Sequence, residues 1–176
     1  MEFKELLSTR RSIRKYSDKQ VEQSVIDNLV AATLSAPSSR NSHSTHLLVV
    51  RNREIIEQMS QMRDYGSAFI KGAPVVILIM GDTEVTDLWQ VNCSISATTM
   101  LMAATDLGLA SCWVHVEGRP HLKDEPEGKS ADDIIRSLVD IPSTFGILCC
   151  VAVGYSDFTP ADLPPFDAAT HVRVVE

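Results

Sequence analysis

The stretch RRSIRKY, residues 10–16, sets Arg10, Arg11, Arg14 and Lys15 close together in a chain that is otherwise acidic, with 16 Lys+Arg against 23 Asp+Glu and a formal net charge of -7. In extended backbone, side chains alternate between faces, so Arg10, Ser12 and Arg14 share one face while Arg11 and Ile13 face the other way, Ile13 toward a core. Two guanidiniums with a hydroxyl between them can grip a phosphate through charge-assisted, bidentate hydrogen bonds. The competing interpretation is a solvated basic turn or a weak nucleic-acid patch. An acidic chain lacks the broad basic face that nucleic acid or an anionic membrane requires, so a local anion site fits better than either partner.

The rest of the sequence describes the setting of that cluster. A chain of 176 residues with 44% hydrophobic and 22% charged residues is sized for one soluble domain over residues 1–176, with a full core. The N-terminus lacks the apolar segment of a secretory leader, and the longest apolar run, APVVILIMG, is far too short to span a bilayer. Cys93, Cys112, Cys149 and Cys150 each lie in apolar context and form no CxxC pair. They read as small buried hydrophobes in a reducing compartment, which points to the cytoplasm.

Periodicity gives helices over EFKELLS, over SDKQVEQSVIDNLVAATLSAP with Val25, Ile26, Leu29, Val30 and Thr33 in helical register and Pro37 as a stop, and over REIIEQMSQM. Two further helices are WQVNCSISATTMLMAATDLGL, closed by Gly108, and SADDIIRSLVDIP. Strands are expected at THLLVVRN, APVVILIMGD, ASCWVHV and FGILCCVAVGYS, and a half-exposed strand at HVRVVE, residues 171–176. The order is mixed and does not read as a regular parallel alternation, so the class is α/β or α+β. The Pro-rich segment DFTPADLPPFDAAT before the last strand is extended and poorly suited to packing on its own core, and a reach toward a second subunit follows as an expectation.

Two more stretches are equipped for a ligand. SAPSSRNSHSTH, residues 35–46, joins a helix to a strand and is crowded with short polar side chains; Pro37, Ser38, Ser39, Asn41 and His43 could meet a polar heterocycle, although an ordinary polar loop has the same composition. His43 and His46 have no carboxylate or Cys beside them, so no metal is expected. In LGLASCWVHVEGRP a short turn carries Glu117 and Gly118, and the glycine allows backbone to approach a ligand closely. GxGxxG after a strand, GxxxxGK[ST] and GxSxG are all absent, and no cysteine has the charged neighbours of an activated nucleophile.

Taken in order, RRSIRKY, SAPSSRNS, GAPVVILIM, ATTMLMAATDLGLASCW and IPSTFGILCCVAVGYS resemble the flavin-dependent nitroreductase family over nearly the whole chain. The resemblance implies an α+β fold, a central mostly antiparallel sheet flanked by helices, and a homodimer that exchanges its C-terminal strand and holds FMN at the interface. It implies that Arg10, Ser12 and Arg14 hold the FMN phosphate and ribityl chain with Arg11 nearby. Pro37, Ser38, Ser39, Asn41 and His43 would come from the partner subunit, and Glu117 and Gly118 would meet the ring through backbone groups. FMN carries the redox step in this family, so no catalytic side chain and no metal is required. NADPH or NADH would deliver hydride in a ping-pong scheme, and a nitroaromatic, quinone or similar conjugated small molecule would receive it. Departures are visible: His43 stands where many members have Gln, and nothing basic occurs between Gly154 and His171, where members often complete the phosphate clamp. That gap motivates the alternative of a non-catalytic flavin-binding or sensing protein on the same fold.

Overall fold

A computed structural model describes residues 1–165 and 167–176. Phe166, which falls in the Pro-rich segment, lies outside the described residues. Four strands, β1 (Thr45–Val50), β2 (Val75–Asp82), β3 (Ala110–His115) and β4 (Phe145–Gly154), form one sheet in the order β1-β2-β4-β3. All three pairings are antiparallel, which fixes the class as α+β. The two central strands, β2 and β4, are the two longest apolar runs of the sequence, and nearly every residue in them is buried. Strands apolar at successive positions need cover on both faces.

That cover comes in two layers. On one face α2 (Gln23–Leu34) and α4 (Trp89–Asp106) bury Ile26, Leu29, Cys93, Ala97, Met100 and Ala104 against Ile77, Ile79, Cys149 and Val151. On the other, α3 (Arg53–Met59), α5 (Ala131–Leu138) and the turn 68–72 bury Ile56, Met59, Ile70 and Ile135 against Val76, Leu78, Cys150 and Ala152. The short α1 (Phe3–Thr9) buries only Leu6.

Local chemistry explains the boundaries. α5 opens with a capping box: Asp133 N donates to Ser130 Oγ, and Ser130 N donates to the Asp133 carboxylate. Gly108, at φ 73, closes α4 in the left-handed conformation that residue type allows. α2 begins later than its periodicity suggests, because residues 17–21 instead run along the sheet, where Ser17 N donates to Tyr155 O and Val21 enters the core. The four cysteines are free and buried.

The expected terminal strand is absent. Residues 171–176 carry no strand in this single chain, and Val172, Val174 and Val175 are 63%, 76% and 85% exposed. A strand needs a partner edge, and a segment preceded by Pro160, Pro164 and Pro165, which lack N–H groups, does not fold back to one here.

The N-terminus of α4 is set by an aromatic wedge. Trp89 lies over the cross-strand pair Gly81 and Gly146, and a Cβ on Gly146 would fall 2.5 Å from its ring. Only two glycines in register leave that space. Gly146→Val should therefore destabilise the fold by about 1–3 kcal/mol, as overpacking does. Urea unfolding checks this, and an unchanged midpoint would show that Trp89 can move aside.

Candidate functional site

Residues 10–16 pass beside the edge strand β3 and touch it through one isolated bridge. Ser12 forms a parallel bridge with Ser111, and Ile13 N donates to Ser111 O at 3.0 Å. Alternation then puts Arg10, Ser12 and Arg14 around one spot, the Cys112 thiol. Burial pushes that thiol up, while the Arg14 guanidinium, the Ser12 hydroxyl and the Arg10 guanidinium act against it. Cys112 was read from sequence only as a small core residue, yet it forms the floor of the cluster. Tyr16 braces the segment by donating to Ile13 O and Ala152 O, and burial raises its phenol far above the ordinary value.

The cations of the cluster differ in availability. Arg11 is tied to backbone carbonyls, with Nη1 2.6 Å from Ser8 O and Nε 3.2 Å from Ala161 O. Among the described residues the Arg10 guanidinium has no hydrogen-bond partner, and Arg14 has one long contact, 3.4 Å to Ser12 O, beside a cation–π contact with Phe69. Lys15 lies over Phe158 at 4.9 Å and so anchors the start of the tail. Two uncommitted guanidiniums flanking an exposed hydroxyl form a donor set suited to a phosphate.

The Glu117–Gly118 turn sits at the far end of the same sheet edge. Val116 N and Glu117 N both donate to Leu148 O, so the strand bends there, next to the bulge where Leu148 drops out of register with β2. Gly118 has φ 64 and nothing within 4 Å of where a Cβ would be, so its backbone is open to a ligand. His115 lies 3.9 Å from the Glu117 carboxylate; burial, helped by Arg119 and Arg63, holds its pKa below the usual value despite Glu117. From Ser111 to Glu117 the strand covers about 20 Å, so phosphate-type donors and an open turn flank one edge.

The loop 35–44 is elsewhere. It leads into β1 at the opposite edge, beside Gly81 rather than beside Val75, and packs against α4. Strand spacings place Ser12 about 19 Å from it across the sheet, and the register adds a further ~20 Å along the strands. The faces also differ, since Phe69 beneath Arg14 packs on the α3–α5 side and the loop contacts α4 on the other. One chain therefore brings Arg10, Ser12, Arg14, Glu117 and Gly118 to one edge and keeps Ser38, Ser39, Asn41 and His43 away from them.

The loop itself is unusual. Arg40, Asn41 and His43 take φ values of 52, 53 and 48, the left-handed region that costs a non-glycine residue about 1–2 kcal/mol. His43 N donates to Ser38 Oγ, and Ser39 N donates to the fully buried Asn92. Asn92 escaped the sequence reading because it sits inside an apolar helix. Its position in the buried stripe with Cys93, Ser96 and Ala97 was the signal: a polar residue there needs partners.

The model of the Nitroreductase family matches residues 7–63 and 59–155. The chain belongs to this family. A protein of Methanothermobacter thermautotrophicus provisionally named NADH dehydrogenase/NAD(P)H nitroreductase is 35% identical over 95% of this chain and 84% of its own length. One of Archaeoglobus fulgidus with the same name is 33% identical over 89% of each. A solved structure described as an FMN-dependent nitroreductase from Clostridium difficile R20291 superposes with a TM-score of 0.84 at 36% identity, covering 90% of both chains. The nitroreductase fold expected from the sequence is thereby established. Among the described residues no group of His, Cys, Asp and Glu could hold a metal ion, and no helix is long and apolar enough to cross a membrane.

Among the described residues of this nitroreductase-family chain two buried side-chain atoms lack a hydrogen-bond partner, Arg63 Nε and Ser111 Oγ, the latter on a residue 1% exposed. A buried hydroxyl without a partner costs about 1–3 kcal/mol. Ser111→Ala keeps the backbone bridge to residue 12 and should leave stability unchanged or raise it in urea unfolding. A loss of stability would mean the hydroxyl has a partner in solution.

Proposed function

We propose that the chain is an FMN-dependent NAD(P)H oxidoreductase that works as a homodimer, with each flavin bound between two subunits. The observation that carries this reading is the separation just described. Arg10, Ser12 and Arg14 offer phosphate donors and Gly118 an open backbone along one edge, whereas the polar loop 35–44 lies at the opposite corner of the same chain. A second copy supplies the loop that one copy cannot. An exposed apolar stripe along α4, with Val91 at 50% and Ile95 at 36%, gives the two copies a surface to share.

FMN supplies the hydride chemistry when bound. The protein's own residues do the rest. Arg10, Ser12 and Arg14 hold the phosphate, with Arg11 fixing their loop through Ser8 O and Ala161 O. The backbone at Glu117 and Gly118 would contact the ring, together with Pro37, Ser38, Ser39, Asn41 and His43 from the second subunit. His115, whose pKa burial lowers, lies beside this turn. NADPH or NADH would be the donor and a nitroaromatic, quinone or similar conjugated small molecule the acceptor, in ping-pong order. The work takes place in the cytoplasm, a reading that four unpaired buried cysteines support.

A flavin-binding or sensing protein without turnover is the second reading. The stretch from Tyr155 to Thr170 contains no Lys or Arg, so that segment adds no cation to Arg10 and Arg14.

Two measurements test this. Protein desalted after incubation with FMN should keep the flavin absorption and lose it on anaerobic addition of NADPH or NADH; bands that stay but never bleach with either donor favour the second reading. Arg14→Ala should weaken FMN binding by about 1.5–3 kcal/mol, the range for a lost hydrogen bond to a charged group. Unchanged affinity in that variant removes Arg14 from the clamp.

A further inference from the structure

The loop that would face the partner's flavin is organised by a single buried amide. Asn92 is 0% exposed. Its Oδ1 accepts from Ser39 N at 2.8 Å, and its Nδ2 donates to Ser39 Oγ at 3.2 Å, Ser42 Oγ at 3.1 Å and Ser44 Oγ at 3.0 Å. The orientation of the amide is forced, because a backbone N–H can only donate and so must face the amide oxygen. The NH2 group then faces the serines. Its nitrogen accepts nothing and its two hydrogens are shared among the three serine oxygens, so each serine hydroxyl keeps its own hydrogen for a different acceptor. Ser44 is 1% exposed, but Ser39 and Ser42 lie half-buried on the loop surface.

We infer that Asn92 is a positioning residue that sets the hydrogen-bonding sense of the loop, turning the Ser39 and Ser42 hydroxyls into donors aimed at a ligand rich in acceptors. These contacts act together with the loop's own bonds, Asn41 N to Ser38 O, Ser42 N to Ser39 O and His43 N to Ser38 Oγ, around the left-handed Arg40, Asn41 and His43. The carbonyl oxygens and unprotonated ring nitrogens of an oxidised isoalloxazine are acceptors of that kind, and hydroxyl donors beside them favour the electron-rich reduced ring. The inference rests on the flavin reading above and assigns it a residue that makes no contact with the ligand.

Asn92→Asp tests it with almost no change in shape. A carboxylate still accepts from Ser39 N, but it can only accept from the serines, so their hydrogens turn inward and the outward donors are lost. FMN affinity by fluorescence quenching and the flavin midpoint potential are measured for the wild type, for Asn92→Asp, for the double variant Ser39→Ala with Ser42→Ala, and for all three changes together. The expected result is a loss of affinity of about tenfold or more for Asn92→Asp, with a more negative potential. The Ser39→Ala/Ser42→Ala variant should show a similar loss without touching the buried amide, and adding Asn92→Asp to it should change little more. Equal effects of Asn92→Asp with and without the two serines, or wild-type affinity and potential in both variants, would overturn the assignment. A wild-type protein that binds no FMN would overturn the flavin reading itself, and this assignment with it.

Discussion

The ladder between β2 and β4 is apolar on both faces, and every other element is placed by the need to cover it. Val75–Asp82 and Phe145–Gly154 pair along almost their whole length. One layer of helices closes over Ile77, Ile79 and Cys149, the other over Val76, Leu78 and Cys150. With the middle of the sheet occupied, β1 and β3 are left as edges, and the polar ligand-type residues collect at those edges. The geometry of the site follows from the order β1-β2-β4-β3.

The two edges are equipped differently. Beside β3, the parallel bridge of Ser12 with Ser111 and the two amides on Leu148 O hold a basic loop and an open glycine turn on a rigid strand. At the start of β1, Trp89 seated on Gly81 and Gly146 fixes the beginning of α4, and Asn92 one turn later fixes the loop. The two halves of the proposed site thus come from the two ends of the same packed sheet. Each is preorganised before any ligand arrives, which reduces the ordering cost of binding.

Much of this was legible in the sequence, for identifiable reasons. β2 and β4 announced themselves as apolar runs, and the capping box at Ser130 and the closing Gly108 marked helix ends by their chemistry. Alternation in RRSIRKY puts Arg10, Ser12 and Arg14 on one face, and all three act on the Cys112 thiol. What the sequence withheld depends on pairing between distant segments. That Arg11 is occupied by Ala161 O, that Cys112 floors the cluster, and that Asn92 organises a loop 48 to 53 residues earlier are consequences of tertiary contact. HVRVVE read as a strand because its pattern alternates, but a pattern supplies no partner edge.

The central claim is that one flavin site is assembled from two copies, the basic edge of one and the Asn92-held loop of the other. Complementation tests it most directly. A chain carrying Arg10→Ala with Arg14→Ala and a chain carrying Ser39→Ala with Asn41→Ala are each checked for loss of FMN binding, then co-expressed with different tags and the mixed species isolated. The account predicts that the mixed dimer regains flavin at one site, because it pairs one intact clamp with one intact loop. A mixed dimer that binds no more flavin than either parent would contradict it.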